Sequence, residues 1–480
     1  MNVAIIIPPP LNRVDYLGVQ QPLNACYVAA YLRAAKPQCT VQIWDYSAET
    51  FNEREFLTRL KDNRIEVAGF SGFTPTIKQC AALASIIKRA YPEIRTVIGG
   101  IHVSTLPEGT MREFDCFDIG IIGEGERPFA ELCGVIDAGA DISDLKSIVY
   151  RKHGEIIKND LEPLITDIDQ IPFPARDLLK QDLYNRGHTQ RGFSRGFMRI
   201  SEMFTSRGCP GKCIFCASRI LHTNALRFHS IGYVEAEIEE CVKKYGAEHI
   251  SLVDDNFTSI PDRVYKICDI FKRHHVTWNC LARINNVNAD MLHYMKKSGC
   301  EGIVYGIESG SPRILKLIKK GITVEQIIQG MKATHEAGIT NIEADFLIGV
   351  HPDETVEDIR ATVDLIKRIK PTILAVLFCV PYPGTEVWTI MNERGLVNET
   401  DWNKYVIYGQ TPNWRTHALS AEELVAWQNK IMRDFYYTPG YVLSRIARIR
   451  SMREFAYYIK IAYAFSKSLR ARGTPLRRTP

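Results

Sequence analysis

Two successive series of short β-rich runs, each separated by amphipathic helical patterns, leave this chain few folds to choose from. A strand–helix–strand crossover returns each strand parallel to the last and lays helices over the sheet. In the first series the strands are predicted at Val3–Ile7, Thr40–Asp45, Val67–Ser71, Thr96–Gly99 and Ile119–Ile122. Helical patterns at Pro22–Ala35, Glu53–Asn63 and Ile77–Ala90 lie between them, so an open, doubly wound (Rossmann-like) α/β sheet is expected. The second series places strands at Phe204–Ser206, His249–Val253, Thr277–Ala282, Gly302–Gly306, Asn341–Leu347 and Leu374–Phe378. Its helices fall at Tyr233–Tyr245, Pro261–His274, Ala289–Ser298, Thr323–Ala337 and Thr355–Ile369. Six such units are too few for a full eight-unit barrel and imply a partial (β/α)6 barrel.

The domain boundaries that follow are 1–135 for the first sheet, 136–195 for a linker, 196–390 for the barrel and 391–480 for a helical, basic C-terminal region. The linker holds a hairpin (Ser147–Tyr150, Gly154, Ile156–Lys158) and then Pro163, Pro172 and Pro174. With 45% hydrophobic and 24% charged residues the chain has the composition of a globular protein. No apolar run approaches the roughly 20 residues of a spanning helix. The first strand is not preceded by a basic segment and a long apolar one, so no secretory signal is expected and the cytoplasm is the expected location.

In doubly wound sheets, ligands bind beyond the carboxyl ends of the strands. Small or turn-forming residues fall there: Ser71-Gly72, Gly99-Gly100, and Gly123-Glu124-Gly125-Glu126. A glycine lets backbone approach a bulky ligand; the competing reading is a set of tight turns.

Of thirteen cysteines most stand singly in apolar segments, as Cys80, Cys241 and Cys268 do, and read as small buried hydrophobes. One group is clustered, in Ser206-Arg207-Gly208-Cys209-Pro210-Gly211-Lys212-Cys213-Ile214-Phe215-Cys216. Thiolates are soft ligands for iron–sulfur clusters or zinc. Cubane clusters usually take four cysteines, so three at C-x3-C-x2-C leave one iron open for chemistry. A zinc site completed by His222 or His229 is the competing reading, but zinc ribbons pair two C-x2-C knuckles and only one is present.

C-x3-C-x2-C heading a βα repeat resembles the radical S-adenosylmethionine (SAM) superfamily over about residues 198–390. The resemblance implies that Cys209, Cys213 and Cys216 hold a 4Fe–4S cluster whose fourth iron is chelated by SAM, and that reductive cleavage yields a 5′-deoxyadenosyl radical. An external one-electron donor of the flavodoxin or ferredoxin type is implied with it. It also implies SAM or cluster contacts for Phe215, for Asp254 and Asp255 at the end of the second barrel strand, and for Glu308 and Ser309 in Gly306-Ile307-Glu308-Ser309-Gly310. Helix capping competes for the aspartates. Arg283, ending the third strand, is placed for a carboxylate, with a surface ion pair as the competing role. Residues 349–358 and Pro381-Tyr382-Pro383-Gly384-Thr385 match turns of the same superfamily. No catalytic side chain is assigned.

The N-terminal sheet, over roughly residues 1–135, is similar to that of the cobalamin-binding branch. The similarity implies cobalamin contacts at Ser71, Gly99, Gly100, His102, Gly123 and Glu124. One departure stands out: the Asp-x-His-x-x-Gly loop that supplies a cobalt ligand in some cobalamin proteins is absent, since Asn12 to Gly18 contain no histidine. His102 is then the one nearby candidate ligand, against a satisfied strand-end histidine.

The activity expected is methylation of an unactivated carbon in a small-molecule or lipid substrate, using a 5′-deoxyadenosyl radical and methylcobalamin. Radical cyclisation or rearrangement without methyl transfer is the alternative on the same architecture. A non-catalytic sensor built on the cluster and cobalamin is the alternative from another class. A transfer-RNA methylthiotransferase is disfavoured because Cys26, Cys39 and Cys80 are dispersed and the C-terminus is helical, so no nucleic-acid partner is expected.

Charge is concentrated at one end. Residues 445–480 carry ten Lys or Arg against one acid, Glu454, a net +9; with +5 overall, the rest of the chain carries −4. Interleaved with Phe455, Tyr457, Tyr458, Ile459 and Tyr463, this segment reads as a peripheral membrane contact or as a helix packed on the body with a solvated basic face; nucleic-acid binding is a third reading, without a recognised module to support it.

Overall fold

The structure, a computed structural model, describes residues 1–11, 19–184, 198–223, 225–397, 401–407 and 411–447, and nine positions between 449 and 463. It divides into two compact units. The first runs to Tyr184 and takes in residues 217–230, and so extends beyond residue 135.

The first unit is built on β1 (Asn2–Ile7), α1 (Leu23–Ala35), β2 (Thr40–Asp45), α2 (Glu53–Asp62), β3 (Val67–Ser71), α3 (Ile77–Ala90) and β4 (Arg95–Gly99). Two short helices, α4 (Ile101–Thr105) and α5 (Pro107–Glu113), precede β5 (Ile119–Ile121) and α6 (Glu126–Asp137). Val3, Ala4, Ile5 and Ile6 are all buried, the unbroken apolar run of a strand covered on both faces. The strand order is β2-β1-β3-β4-β5, all parallel, and the direction of winding reverses between β1 and β3. That reversal is the switch point where such sheets open a crevice. Ala25, Cys26, Ala29 and Ala30 of α1 and Phe129, Leu132 and Cys133 of α6 close the core on Val3, Ile5, Val67 and Val97.

The hairpin read as part of a linker is instead structural. Strands β6 (Ile148–Lys152) and β7 (Glu155–Lys158) extend the sheet antiparallel from β5. Ile148, Val149 and Tyr150 are buried there, which explains why these residues are apolar.

In the second unit β8 (Ile200–Met203) comes earlier than the predicted Phe204–Ser206, and the short β9 is Ser206–Arg207. All four residues of β8 are buried, Glu202 included, and that acid disguised the strand in sequence. Residues 217–230 hold α7 (Ser218–His222) and the two-residue β10 (Arg227–Phe228). There follow α8 (Ile231–Tyr245), β11 (His249–Leu252), α9 (Pro261–His274), β12 (Thr277–Ala282), α10 (Ala289–Lys297) and β13 (Cys300–Glu308). Then come α11 (Pro312–Leu317), α12 (Val324–Glu336), β14 (Asn341–Ile348), α13 (Val356–Ile369) and β15 (Ile373–Phe378).

The six long strands form one parallel sheet in the order β15-β14-β13-β12-β11-β8, the partial barrel. Helix starts are fixed chemically: Pro261 occupies the first turn of α9, and Thr323 with Gln326 forms a capping box for α12. Beyond α14 (Glu386–Glu393), α15 (Ala421–Tyr436) covers the outer strand. Its Gln428 donates to the Val376 carbonyl (2.7 Å), and its Tyr436 hydroxyl donates to the Leu374 carbonyl (2.8 Å). Helix α16 (Pro439–Ile446) follows. No helix among the described residues is long and apolar enough to cross a membrane.

Candidate active site

The cysteine loop leaves β9 through Gly208, whose φ of +89° suits glycine. Ile214 pins the loop from both sides: its N–H donates to the Ile318 carbonyl (3.1 Å), and its own carbonyl accepts from the Val387 N–H (3.0 Å). Cys213 is buried, Cys209 and Cys216 are half-buried, and Phe215 is half-buried between two of them. Gly211 lies among the sulfurs: a Cβ there would stand 3.3 Å from Cys209 Sγ, 3.9 Å from Cys213 Sγ and 3.1 Å from Arg283 Nη1. Burial pushes the Cys209 thiol up, with Asp255 adding to the effect and Arg283 opposing it. Metal binding is what would draw the proton off.

Around the loop stand residues from three barrel strands. Arg283, after β12, places Nη1 3.9 Å from Cys213 Sγ and donates from Nη2 to the Lys320 carbonyl. Glu308, ending β13 at a φ of +69°, accepts from Lys320 Nζ at 2.8 Å, and both side chains are buried. Asp255 is exposed, close enough to Cys209 to act on its charge.

Two expected SAM contacts have other work. Asp254 is fully buried, and its carboxylate accepts from the Thr205 N–H and Oγ1 (3.1 and 2.9 Å) and from Ser206 Oγ. It fixes the segment leading into the cysteine loop. Ser309 is also fully buried, and its Oγ accepts from the Ser311 N–H (3.1 Å) and lies 3.4 Å from Thr362 Oγ1. Lys320, which joins Arg283 to Glu308, belongs to no motif in the sequence. It sits in a Lys-Lys-Gly turn with no local sign of its partner.

The strand ends of the first unit form a second group. Gly100 has a φ of +99°, and a Cβ on it would fall 2.6 Å from the Gly72 carbonyl oxygen, so the ends of β3 and β4 are backbone against backbone. Gly123 has a φ of +84° and donates to Ser104 Oγ (2.9 Å), with nothing within 4 Å of where its Cβ would be. Ser71 accepts from Asn24 Nδ2 (2.6 Å). His102 is buried on α4 with Nδ1 3.3 Å from Thr74 Oγ1, and burial lowers it to about 4. Glu124 forms an ion pair with Arg227 and lies 2.6 Å from His222 Nδ1, the side chains of Glu124 and Arg227 being buried. Asn12 to Gly18 lie outside the described residues.

The histidines of the zinc alternative are engaged in these contacts, His222 with Glu124 and His229 Nδ1 with Asp169 at 3.0 Å. Among the described residues no three His, Cys, Asp or Glu side chains converge where one metal ion could be held. The donor set is the three-thiol loop, with Gly211 lying between two sulfurs. It fits a multi-iron cluster. The space left open at Gly123, at the end of a strand of the first sheet, fits the approach of a bulky cofactor.

Comparison with known proteins agrees. Residues 203–366 match the Radical SAM superfamily and residues 11–133 the B12 binding domain. An uncharacterised methyltransferase of Pyrococcus horikoshii is 30% identical over 450 residues, 93% of this chain and 95% of that protein. The anaerobic magnesium-protoporphyrin IX monomethyl ester cyclase of Rubrivivax gelatinosus is 24% identical, covering 95% of this chain and 80% of its own. Among solved structures, the cobalamin-dependent SAM radical enzyme OxsB, with aqua-cobalamin and SAM bound, has a TM-score of 0.73 at 18% identity. It covers 98% of this chain and 71% of that one. The chain belongs to the radical SAM superfamily, in the branch that joins the barrel to a B12-binding domain. It is an enzyme whose cofactors are a 4Fe–4S cluster, SAM and cobalamin.

Proposed function

We propose that the protein is a cobalamin-dependent radical SAM methyltransferase acting on an unactivated carbon of a small molecule. The observation that carries this reading is one chain holding both the three-thiol loop and a B12-type sheet, at 30% identity to a methyltransferase along nearly its whole length. Bound here, the cluster and SAM supply a hydrogen-abstracting radical, and cobalamin supplies a transferable methyl group.

The chain's own residues bind and orient. Cys209, Cys213 and Cys216 ligate the cluster, and Phe215 shields it. Glu308, held by Lys320, and Asp255 offer carboxylates to the SAM ammonium, while Arg283 steadies the thiolate side. Gly123 lets backbone approach cobalamin, and Gly99 and Gly100 shape the strand ends beside it. An external flavodoxin- or ferredoxin-type protein delivers the electron.

The test is anaerobic turnover of reconstituted enzyme with reductant, SAM deuterated in its methyl group and a metabolite extract. Methyl transfer yields 5′-deoxyadenosine and S-adenosylhomocysteine together, with the label in an extract component. 5′-Deoxyadenosine without S-adenosylhomocysteine would replace methylation with cyclisation or rearrangement, the activity named for the 24% identical cyclase.

A further inference from the structure

We propose that the C-terminal segment from Tyr437 onward docks the enzyme on an anionic lipid bilayer surface. Of the twelve large hydrophobic side chains exposed among the described residues, eight lie between 437 and 463. Helix α16 buries no residue. It is nevertheless fixed to the body, because Tyr441 donates its hydroxyl to the Thr372 carbonyl (3.4 Å) and Arg445 donates to the same carbonyl while lying over the Tyr441 ring. A helix packed on the body with a solvated basic face would bury its apolar side and expose its basic one. Here the polarity is the reverse: Arg445 is half-buried as an anchor, whereas Val442, Leu443 and Ile446 face solvent, Leu443 at 66% exposure.

The exposed apolar positions continue at Met452, Phe455 and Ile459, three or four residues apart, which is helical spacing. Charge selects the occupant. Residues 445–480 carry ten Lys or Arg against one Glu, and the rest of the chain is net acidic. Apolar side chains interleaved with a strong basic excess, with no helix among the described residues able to span, are what an interfacial element on acidic headgroups requires. Each cation near such a surface strengthens binding about fivefold.

The experiment is co-sedimentation of the full chain with vesicles of equimolar phosphatidylglycerol and phosphatidylcholine, and with phosphatidylcholine alone. Binding to the mixed vesicles should be at least about tenfold tighter and weaken with salt. Leu443→Glu with Ile446→Glu should reduce it about tenfold at unchanged helix content. Should that variant unfold, Met452→Gln with Phe455→Gln, on side chains exposed to solvent, serves instead with the same expectation. Equal binding to both vesicles, or none, overturns the proposal. So does light scattering that shows these substitutions dissolving a dimer, which would make the occupant a second copy. Retention by RNA with no vesicle binding overturns it in favour of a nucleic-acid partner.

Discussion

Arg283 and Cys213 are neighbours across the site, with the guanidinium Nη1 3.9 Å from the sulfur and the other terminal nitrogen held by the Lys320 carbonyl. A cation beside the proposed cluster ligand would favour the reduced, more negative cluster, because hydrogen bonds and charge at the sulfurs set the potential. Arg283→Gln should therefore keep its iron yet lower the midpoint potential by about 60 mV, a tenfold change for one electron. Redox titration followed by electron paramagnetic resonance measures this, and an unchanged potential would remove Arg283 from that role.

The Glu308–Lys320 pair is buried on both sides at 2.8 Å. Removing one member of such a pair strands the other charge and costs about 3–5 kcal/mol, whereas neutral partners of similar size cost little. Lys320→Met should be strongly destabilising in denaturant unfolding of the barrel, and adding Glu308→Gln should restore most of the loss. If the double variant is as unstable as the single one, shape and not charge governs the site.

Two glycines with positive φ should respond differently. At Gly100 an alanine Cβ would meet the Gly72 carbonyl oxygen at 2.6 Å, so Gly100→Ala should destabilise the first unit by more than the ~1–2 kcal/mol of left-handed backbone alone. At Gly123 nothing lies within 4 Å, so Gly123→Ala should fold with only that penalty. Its cobalamin affinity, read by absorbance titration, should fall instead.

Burial pushes Glu354 up to about 8, although it accepts the N–H groups of Gly349 and Val350. The folded state therefore holds a proton that the unfolded state releases near 4.5. Stability from this group is full below about 4.5 and declines as pH rises to about 8, by at most about 5 kcal/mol. Glu354→Gln should flatten thermal stability across that window. A slope identical to the parent would show that Glu354 ionises freely.

Much of this was legible in sequence, for identifiable reasons. Strands such as Thr277–Ala282 and helices such as Pro261–His274 lie where periodicity and a first-turn proline put them. The cysteine loop is plain because its three thiols are local in sequence. What escaped notice depends on distant partners. Glu202 hid β8 because an acid inside a buried strand contradicts the apolar pattern. Asp254 reads the same in sequence whether it faces a ligand or the Thr205–Ser206 backbone. His102 seemed a strand-end loop residue until α4 was seen to bury it. Lys320 gained its importance only from Glu308 and Arg283, which other strands supply.

Residues 217–230 belong to the first unit, although they follow Cys216 directly along the chain. During synthesis, then, the chain must grow about 43 residues beyond Tyr184 before Arg227 emerges to neutralise Glu124. By that time all three cluster cysteines have already left the ribosome. A single cut therefore fails on either side: placed before Ala217 it leaves the buried Glu124 without Arg227, and placed after Ser230 it carries Cys209, Cys213 and Cys216 away from the barrel.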